Sequence, residues 1–386
     1  MVRLSSLAAA VSWLQLSSAW LPSERPEGTL NKKWLPGSGK IRGVNLGSLF
    51  VFEPWIANSV WTGLGCEDSP DKGSEFDCVS KLGQEQADAA FQGHWASFIT
   101  ESDLDEMKRY GINTIRIPLG YWLDRSLVDS SEHFPQGAEE YLVRVAKNAF
   151  TGQLAPSPGF YNEYNYGRGV KFLQYLTKLA HERPEMENVG MIEVLNEPVH
   201  WDQSVESLRS TFYRDAYNAI RQVERDLNVG PDDQFHIQMM GSGWGAGNPV
   251  EFLSDTRLTA FDDHRYLKWA NRDEVPLSHE SFISTSCSDN LSRDSAGPTI
   301  IGEWSLSVPD ENNIQWSDEW HPELQKDFYR KWFAAQVHSY ETRAEGWVFW
   351  TWKTQLGDYR WGYKDAVAAG VIPENLDEAL NSGVCG

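Results

Sequence analysis

Two apolar runs that end near a glutamate decide the fold of this chain: Met191-Ile-Glu-Val-Leu-Asn-Glu-Pro198 and Pro298-Thr-Ile-Ile-Gly-Glu-Trp304. Each run has the length and composition of a buried strand, and Glu197 and Glu303 stand where these strands end. A buried carboxylate costs free energy unless it is paired or used, so two of them in equivalent positions indicate a site. Two carboxylates at barrel strand ends are the groups that hydrolysis of a glycosidic bond requires, one as acid/base and one as nucleophile.

Five further apolar runs resemble these two. The seven predicted strands are Ile41–Ser48, Thr114–Tyr121, Met191–Pro198, Phe235–Ser242, Thr259–Tyr266, Pro298–Trp304 and Gly346–Lys353. The predicted helices are Glu101–Tyr110, Ala138–Ala149, Gly169–Glu182, Val205–Leu227, Glu274–Ile283 and Glu323–Tyr340, with a shorter one near Pro249–Leu253. The first helix begins with a near capping box, Ser102-x-x-Asp105, and ends at Gly111. This alternation predicts an α/β fold of the TIM-type (β/α)8 barrel.

One strand is missing from the alternation. After the second strand, the helix Ala138–Ala149 leads through Phe150-Thr-Gly-Gln-Leu-Ala-Pro-Ser-Pro-Gly159 to the next helix with no strand between them. A barrel that skips one strand leaves two sheet edges to be paired or covered. We therefore expect a seven-stranded or gapped barrel after the second βα unit, or the segment Phe150–Tyr166 lying in the vacant position.

Length and charge limit the classes of protein that this chain can represent. The 386 residues contain no Pro/Ser linker, low-complexity tract or internal repeat, so residues 20–386 are predicted to form one barrel domain, expected to be a monomer. The net charge of −21 disfavours nucleic acid and anionic membranes as partners, because both attract basic surfaces. The charge fits a neutral substrate, although acidity that only serves solubility explains it equally well.

The N-terminus and the cysteines indicate a secreted protein. Residues 1–19 combine Arg3, a short apolar region and small residues before a cleavage site after Ala19, which is typical of a secretory signal peptide; a buried amphipathic helix is the alternative. Four cysteines suit an oxidising compartment, and Cys66 with Cys78 and Cys287 with Cys385 is one of three possible connectivities. Asn290-Leu-Ser292 is a predicted glycosylation site.

Tryptophan is abundant, with eighteen residues. Core packing is the default explanation for any one of them. Seven, however, lie in polar loops, where a flat ring can stack against the C–H face of a sugar. These are Trp55, Trp61, Trp201, Trp244, Trp316, Trp320 and Trp361.

Other chemistries find little support in the sequence. The cysteines do not cluster at zinc-binding spacings and no His-Glu-x-x-His occurs, so no metal and no cofactor are expected. A serine-hydrolase Gly-x-Ser-x-Gly elbow is absent as well. Gly241-Ser-Gly-Trp-Gly-Ala-Gly247 lacks the Lys-Ser/Thr ending of a phosphate-binding loop and is predicted to be a flexible loop at the top of the barrel.

Five motifs in chain order resemble the strand-end motifs of glycoside hydrolase family 5. They are Ile115-Arg-Ile-Pro118, Asn196-Glu-Pro198, Asp263-His-Arg-Tyr266, Gly302-Glu-Trp304 and Phe349-Trp-Thr-Trp352. Any one motif is weak evidence, but five in the family's order at the right strand ends are a strong signal. The opening Arg42-Gly-Val-Asn-Leu-Gly-Ser48 and Glu53-Pro-Trp55 resemble the fungal β-glucanases of this family, first those that cut β-1,6-glucan internally and second the exo-1,3-β-glucanases.

The resemblance implies a role for each motif residue. Glu303 would be the nucleophile and Glu197 the acid/base of a retaining mechanism, with their carboxyls about 5–5.5 Å apart. Arg116 would keep Glu303 ionised, while burial and nearby negative charge would keep Glu197 protonated. The remaining roles fall to residues that would bind the sugar or position the carboxyls. Asn196 would bind the 2-hydroxyl, Tyr266 would hold Glu303, His264 would lie beside Glu197, and Trp350 would floor the sugar site.

Each residue also has a structural explanation. Arg116 and Glu303 can form an ordinary buried ion pair, His264 can be a core histidine, and Trp350 can belong to the barrel packing.

The family's third strand normally ends in an Asp-Leu-His-Gly-like motif, and this chain has none. A gene model or splice form that lacks one strand and its turn explains both absences. Hence a non-catalytic glucan-binding protein remains a rival to the secreted glucanase.

Overall fold

The computed structural model describes residues 33–34, 39–69, 72–145, 159–289, 291 and 297–386. In these residues, seven parallel strands form one curled sheet in the order β2-β1-β7-β6-β5-β4-β3. The strands are β1 (Ile41–Asn45), β2 (Thr114–Arg116), β3 (Met191–Glu193), β4 (His236–Met240), β5 (Thr259–Arg265), β6 (Thr299–Trp304) and β7 (Gly346–Phe349). The sheet and its helices confirm the predicted barrel-type α/β architecture with one strand missing.

All seven predicted strands are present, and each begins within one residue of its predicted start. Most of them end earlier than the apolar pattern indicated. The strand predicted to reach Pro198, for example, leaves the sheet after Glu193. Beyond that point the backbone turns out of the ladder and places Asn196 and Glu197 at the carboxyl end of the sheet, so the apolar pattern extends past the hydrogen-bonded strand.

The missing strand leaves β2 and β3 as the two edges of the sheet. The described residues place no strand between them. Side chains rather than a backbone ladder join these edges, because Arg116, the last residue of β2, donates from Nε and Nη2 to Oε2 of Glu193, the last residue of β3, at 3.2 and 3.1 Å. Most of the segment expected to fill the vacancy, residues 150–158, lies outside the described part of the chain.

Helices surround the sheet. They are α1 (Asn58–Gly63), α2 (Glu75–Leu82), α3 (Gln84–Ser97), α4 (Glu101–Arg109), α5 (Glu139–Val145), α6 (Glu163–Glu182), α7 (Val205–Ser207), α8 (Arg214–Asp226), α9 (His279–Ser288), α10 (Lys326–Arg343), α11 (Tyr363–Ala368) and α12 (Leu376–Leu380). A π-helical turn over Leu208–Tyr213 joins α7 to α8, which together fill the predicted helix Val205–Leu227. The sequence prediction missed α1, α2, α3, α11 and α12. In α3 the signal was present, because its buried Ala87, Phe91 and Trp95 recur every four residues.

Three local predictions were wrong. The helix expected near Pro249–Leu253 is a series of turns. The helix predicted over Glu274–Ile283 is α9, five residues later, because Pro276 disfavours an earlier start and the Ser278 side chain caps the first turn. The capping box of α4 lies two residues earlier than predicted, where the Thr100 and Asp103 side chains each accept the other's backbone N–H. Gly111 follows this helix as expected, with a left-handed φ of 78°.

The core has two parts. A large cluster of buried side chains lies around the sheet and under the helices, while Trp34, Ile41, Ala260, Ile300 and Val348 form a smaller one at the amino ends of the strands. Trp34 is 2 % exposed and meets the ring of His236 edge-on at 4.9 Å. A buried Trp of this kind contributes a few kcal/mol by order of magnitude and closes the end of the sheet opposite the site.

Two disulfides select one of the three connectivities that the sequence left open. Cys66 pairs with Cys78, and Cys287 on α9 pairs with Cys385 near the C-terminus, with Cα–Cα distances of 4.8 and 5.3 Å. In the described part of the chain no helix has the length and apolar character needed to cross a membrane. The predicted signal peptide, residues 1–19, and the glycosylation site at Asn290 lie outside the described residues.

We expect a version of the chain with a restored third strand, about five apolar residues followed by a His-containing turn inserted near Asn148, to be more stable than the present chain. Pairing the open edges of β2 and β3 satisfies backbone groups and completes the barrel's inner layers. Thermal unfolding should show a midpoint at least ~5 °C higher. As a control, an insertion of equal length after Gly230, in an exposed loop, should give no gain. Equal midpoints for the restored and present chains would contradict this expectation.

Candidate active site

Arg116 is the cation at the centre of the site. Its side chain is 6 % exposed, and the guanidinium faces carboxylates from three strands. Nη1 donates to Glu303 Oε1 at 2.7 Å, Nε and Nη2 contact Glu193, and Nη2 lies 3.7 Å from Asp262 Oδ2. Burial alone would lower the pKa of Arg116, but these carboxylates raise it above its ordinary value. One buried cation therefore offsets much of the negative charge at the carboxyl ends of β3, β5 and β6.

Two asparagines complete the shell of acceptors around Arg116. Nη2 donates to Asn196 Oδ1 at 2.6 Å, and Nη1 donates to Asn45 Oδ1 at 2.8 Å. The Asn45 amide in turn donates to the carbonyl of Gly302 at 3.0 Å, one residue before Glu303. Asn45 thus links the end of β1 both to the arginine and to the strand that carries Glu303, which holds the guanidinium and the carboxylate in fixed relative positions.

Glu303 is held from both carboxylate oxygens. Arg116 contacts Oε1, and the Tyr266 hydroxyl donates to Oε2 at 2.9 Å. Burial raises the pKa of Glu303 above its ordinary value, although the charges of His264 and Arg116 act in the opposite direction. The two hydrogen bonds fix the orientation of the carboxylate without consuming all of its lone pairs, which leaves it able to act as a nucleophile.

Glu197 lies in a strained backbone position beside His264. Its φ of 41° is left-handed, a region that non-glycine residues seldom adopt and that often marks functional positions. His264 Nδ1 and Glu197 Oε1 are 2.6 Å apart, and the imidazole side chain is only 1 % exposed. Burial by itself raises the pKa of Glu197, but the hydrogen bond and charge of His264 outweigh it and bring the pKa below its ordinary value.

A β-bulge places His264 opposite Glu303. Between β5 and β6 the register runs Asp263 opposite Ile301 and then His264 opposite Glu303, so that Gly302 is the extra residue. The Gly302 N–H donates to Asp262 Oδ1 at 2.8 Å, and a Cβ atom at this position would lie 2.1 Å from the same oxygen. Only glycine fits there, because the buried Asp262 carboxylate occupies the space of a side chain.

The pKa of His264 shifts in the opposite direction to that of Glu197. Burial lowers the pKa of His264, but Glu303, Asp262 and Glu197 all face its ring and raise the pKa well above the ordinary value. Asp262 Oδ2 lies 3.4 Å from Nε2, on the other side of the ring from Glu197. The direction of the Glu197 shift is opposite to the expectation that burial and negative charge raise its pKa, because His264 lies 2.6 Å from its carboxylate.

The distance between the two carboxyls has a chemical meaning. Ligand atoms of Glu197, His264 and Glu303 all lie within 4.8 Å of one another. Such closeness is typical of retaining glycoside hydrolases, since an inverting pair stands about 6.5–9.5 Å apart to admit a water molecule.

Within the described part of the chain, this trio is also the one set of three His, Cys, Asp or Glu side chains close enough to hold a metal. Arg116, already bound to Glu303, disfavours a cation there.

The structure brings together six of the seven predicted site residues: Arg116, Asn196, Glu197, His264, Tyr266 and Glu303. Trp350 follows β7 directly, and its backbone N–H donates to the carbonyl of Trp304 at 2.8 Å, so it lies beside the strand that carries Glu303. The ring is 7 % exposed and packs near Gly47. Its role as the floor of a sugar site stays a prediction.

Four residues of the site were missed by the sequence analysis: Asn45, Glu193, Asp262 and Glu53. A charged residue inside an apolar strand, as at Glu193 and Asp262, was a signal that could have found two of them. Glu53 had been noticed only as part of a motif. Its Oε2 accepts from Trp55 Nε1 at 2.9 Å, while burial and the charges of Glu303 and Glu197 raise its pKa to about 8, so Glu53 is a further carboxyl near the two glutamates.

The tryptophans in polar loops divide into two groups. Trp61 and Trp320 are fully buried, so the expectation that they could stack on sugars was wrong for these two. Trp61 lies on α1 rather than in a loop, and both rings pack into the core. Trp55, Trp201 and Trp316 are 42 %, 74 % and 48 % exposed, while Trp244 and Trp361 are half-buried.

Comparison with known proteins agrees with this geometry. The Cellulase family (glycosyl hydrolase family 5) matches residues 79–355. The chain is 50 % identical over 407 residues to a probable glucan endo-1,6-beta-glucosidase B of Neosartorya fischeri, covering 98 % of this chain and 99 % of that protein. It is 29 % identical over 396 residues to a probable glucan 1,3-beta-glucosidase A of Aspergillus fumigatus, covering 90 % of this chain and 91 % of that protein.

A solved structure shares the fold. The crystal structure of rutinosidase from Aspergillus niger superposes with a TM-score of 0.61 at 17 % identity, covering 89 % of this chain and 99 % of that one.

The alignment with the Neosartorya protein contains positions that this chain lacks. It runs over 407 positions, although 98 % of this 386-residue chain is only about 378 residues, so about 29 alignment positions have no residue here. A strand with its turn fits within that number.

Replacing Arg116 should destabilise the protein in a pH-dependent way. Arg116→Met leaves the Glu193, Glu303 and Asp262 carboxylates without their cation, and we expect a loss of about 3–5 kcal/mol in the free energy of unfolding at pH 7. Without Arg116 the folded-state pKa values of these carboxyls rise. The resulting loss in the free energy of unfolding is small at pH values below the ordinary pKa of a carboxyl group, where the carboxyls are protonated in both states, and it grows as pH increases. The loss should therefore shrink at pH 4.

Urea unfolding at both pH values measures this effect. Arg183→Met serves as the control, because Arg183 is 37 % exposed in its ion pair with Glu139 and should change the unfolding free energy little at either pH. A loss for Arg116→Met that does not differ between pH 7 and pH 4 would contradict the assignment of Arg116 as the neutralising charge.

Proposed function

This chain belongs to glycoside hydrolase family 5, and from that premise we propose that it is a secreted, retaining endo-acting enzyme that hydrolyses β-1,6-linked glucan. The observation that carries the proposal is the closeness of Glu197 and Glu303, within 4.8 Å, at the ends of their strands. The substrate class rests on relatives. The 50 % identity to a protein named as an endo-1,6-beta-glucosidase exceeds the 29 % identity to one named as a 1,3-beta-glucosidase.

In the first step, Glu303 attacks the anomeric carbon and the bond to the leaving sugar's oxygen breaks. The Glu303 carboxylate becomes an ester of the glycosyl unit and loses its charge. Arg116 and Tyr266 hold its two oxygens at 2.7 and 2.9 Å, so the attacking group is already oriented. Asn196, fixed by Arg116, is placed to bind the sugar 2-hydroxyl, and Trp350 supports the ring of the same sugar.

The proton for the leaving oxygen comes through the pair of His264 and Glu197. Before reaction the imidazolium is stabilised by Glu303, Asp262 and Glu197. As Glu303 loses its negative charge, one of these stabilising anions disappears and the pKa of His264 falls. The proton then passes from Nδ1 to Glu197 and on to the leaving oxygen. Asp262, at 3.4 Å from Nε2, keeps the second ring proton on that side.

In the second step, water attacks the anomeric carbon of the glycosyl ester. Glu197, now without a proton, accepts one from this water, while the bond between Glu303 and the sugar breaks and restores the Glu303 carboxylate. The product keeps the configuration of the substrate, because two displacements each invert it. His264 regains its proton from Glu197 as the charge on Glu303 returns.

We further propose the setting in which this chemistry takes place. A signal peptide over residues 1–19, one domain over residues 20–386, a monomeric state and a glycan on Asn290 together describe a protein exported to act on wall glucan. The disulfides Cys66–Cys78 and Cys287–Cys385 support this proposal, because such bonds persist in oxidising compartments.

A second candidate function follows from the seven-stranded sheet. The open edges of β2 and β3 lie next to Arg116, and a chain that lacks one strand there could bind glucan without cleaving it. Incubation of the purified protein with linear β-1,6-glucan and with β-1,3-glucan, followed by sizing of the products, separates the candidates. Oligosaccharides from the 1,6-polymer support the proposal, and glucose alone from the 1,3-polymer indicates an exo-1,3-β-glucanase. Binding without any product indicates the non-catalytic candidate.

The two glutamates should respond differently to amide substitution. Glu303→Gln removes the nucleophile, so turnover should fall to background on every substrate while glucan binding persists. Glu197→Gln should reduce kcat/KM on the polymer by about 10²–10⁴-fold, but should affect a dinitrophenyl glycoside much less in the first step, because that leaving group needs no proton. Glu319→Gln, at an exposed position, is the matched control. Equal losses on both substrates for Glu197→Gln would contradict the assignment of Glu197 as the acid/base and Glu303 as the nucleophile.

His264 should set the alkaline limb of the pH–rate profile. Its raised pKa means that the shared proton is retained at low pH and is lost only as pH rises through a value above the ordinary histidine pKa of about 6.5. In His264→Gln, Glu197 alone must hold this proton, so the alkaline limb of kcat/KM should move to lower pH. His338→Gln, on α10, should leave the limb in place. An unmoved limb in His264→Gln would show that His264 does not supply the proton.

A further inference from the structure

A line of aromatic rings leads from the acid/base pair to solvent. The ring of Trp244 lies 5.8 Å from that of His264, the ring of His200 lies 5.7 Å from Trp244, and the ring of Trp201 lies 5.0 Å from His200. Each successive pair meets edge-on, with interplanar angles of 69°, 88° and 84°. These three residues, Trp244, His200 and Trp201, are called the outer platform below.

Trp244, the inner ring of the outer platform, belongs to the glycine-rich loop that the sequence analysis predicted to be flexible. A short 3-10 turn, Ser242–Trp244, presents the indole, and its Nε1 donates to the carbonyl of Pro198 at 2.8 Å. Gly245 adopts a left-handed φ of 99°, and a Cβ there would lie 3.3 Å from the His200 ring. The loop therefore holds Trp244 against the residue that follows Glu197 and gives His200 a surface to pack on.

A second set of hydrogen bonds, from Arg209, fixes the C-terminal end of this loop. Arg209 Nη1 donates to the carbonyl of Ala246 at 2.7 Å, and its Nε contacts Glu251 at 3.1 Å. Gly247 has a left-handed φ of 87°, and a Cβ there would lie 2.7 Å from the same guanidinium. Hydrogen bonds at both ends of the turn therefore hold the loop in one position. The close contacts of Gly245 and Gly247 with their neighbours are possible because glycine has no side chain.

Exposure distinguishes Trp201 from a core residue. It is 74 % exposed, the largest exposed fraction among the large hydrophobic side chains that the structure describes. This exposed indole, at the outer end of the line of rings that begins at His264, has no packing role to account for its exposure. Its flat face can stack on the C–H face of a sugar ring. The adjacent His200 is exposed as well, so the platform presents a continuous surface rather than one isolated ring.

The position of the outer platform indicates which part of the substrate it meets. Through His264 it adjoins Glu197, which protonates the leaving oxygen. A separate group of rings, Trp361 and Trp55, adjoins Tyr266 at 6.0 and then 5.1 Å, and Tyr266 contacts Glu303. Sugars released in the first step extend outward from the oxygen that Glu197 protonates, so they extend toward the side on which Trp244, His200 and Trp201 lie.

We propose that the outer platform binds the leaving-group side of the glucan chain, with Trp201 stacking on a sugar beyond the cleaved bond. This proposal rests on the hydrolase function above. It deepens that function by assigning Trp201 as the residue that makes the enzyme prefer substrates with an oligosaccharide leaving group. The same surface also holds an acceptor sugar in the second step. An acceptor hydroxyl then replaces water, gives its proton to Glu197 and forms a new glycosidic bond as the ester to Glu303 breaks.

Trp201→Ala tests the proposal through a comparison of leaving groups. On β-1,6-linked gluco-oligosaccharides, kcat/KM should fall about tenfold, the size of effect expected when one ring contact is lost. On a dinitrophenyl glycoside with the same glycone the fall should be several-fold smaller, because that leaving group does not reach Trp201. The ratio of transglycosylation to hydrolysis should fall as well. Trp201→Phe, which keeps a ring, should recover most of the loss.

Phe252→Ala is the matched control, because Phe252 is an exposed ring at 39 % in the connection between β4 and β5, which also carries Trp244. It should change neither substrate's kcat/KM. Equal losses on both substrates for Trp201→Ala would indicate a structural role and overturn the proposal. No loss on either would overturn it too.

A calorimetric measurement keeps the platform and the proposed function distinguishable. In the Glu303→Gln background, Trp201→Ala should weaken the binding of a β-1,6-linked gluco-oligosaccharide about tenfold, whether or not the unsubstituted protein turns over. If the unsubstituted protein cleaves neither substrate, the proposed hydrolase function fails, and the calorimetry then decides the platform alone. Unchanged binding in the double variant would refute the platform.

Discussion

The buried cation of Arg116 is the interaction on which the rest of the site depends. Glu193, Asp262 and Glu303 converge at the carboxyl ends of three strands, and each would be costly to bury as an anion without a partner. A single guanidinium meets this charge because its planar fork can donate in several directions at once. Through Asn45 and Asn196 it also fixes the strand ends on either side, so charge compensation and geometry come from the same group.

The negative charge around Arg116 also raises the pKa of His264. The imidazole is surrounded by Glu197, Asp262 and Glu303, with more negative charge than Arg116 alone offsets. The β-bulge at Gly302 is the local feature that makes this possible, because it brings His264 into register with Glu303 and leaves room for the Asp262 carboxylate. A backbone irregularity of one residue thus determines which carboxylates face His264 and raise its pKa.

The open side of the sheet is bridged by the same cation. Arg116 and Glu193 terminate the two edge strands, and their ion pair spans the position that a third strand occupies in an eight-stranded barrel. The site residues lie on or directly after β1, β2, β3, β5, β6 and β7, so all of the strands that carry them are present. This explains how the two glutamates meet although one strand is absent, and why the penalty of the absence falls on stability first.

Periodicity and composition in the sequence determined the seven strands, the position of the gap and the two strand-end glutamates, Glu197 and Glu303. The resemblance of the strand-end motifs to glycoside hydrolase family 5 added Arg116, Asn196, His264 and Tyr266. These features are local, because an apolar run ending in a polar residue is visible without knowing what it packs against. The protonation of the pair, the partners Glu193, Asp262 and Asn45, the burial of Trp61 and Trp320, and the platform of Trp244, His200 and Trp201 were decided only by the tertiary structure. Each depends on distances between residues far apart in the chain, and a pKa or a ring contact has no value until those distances are set.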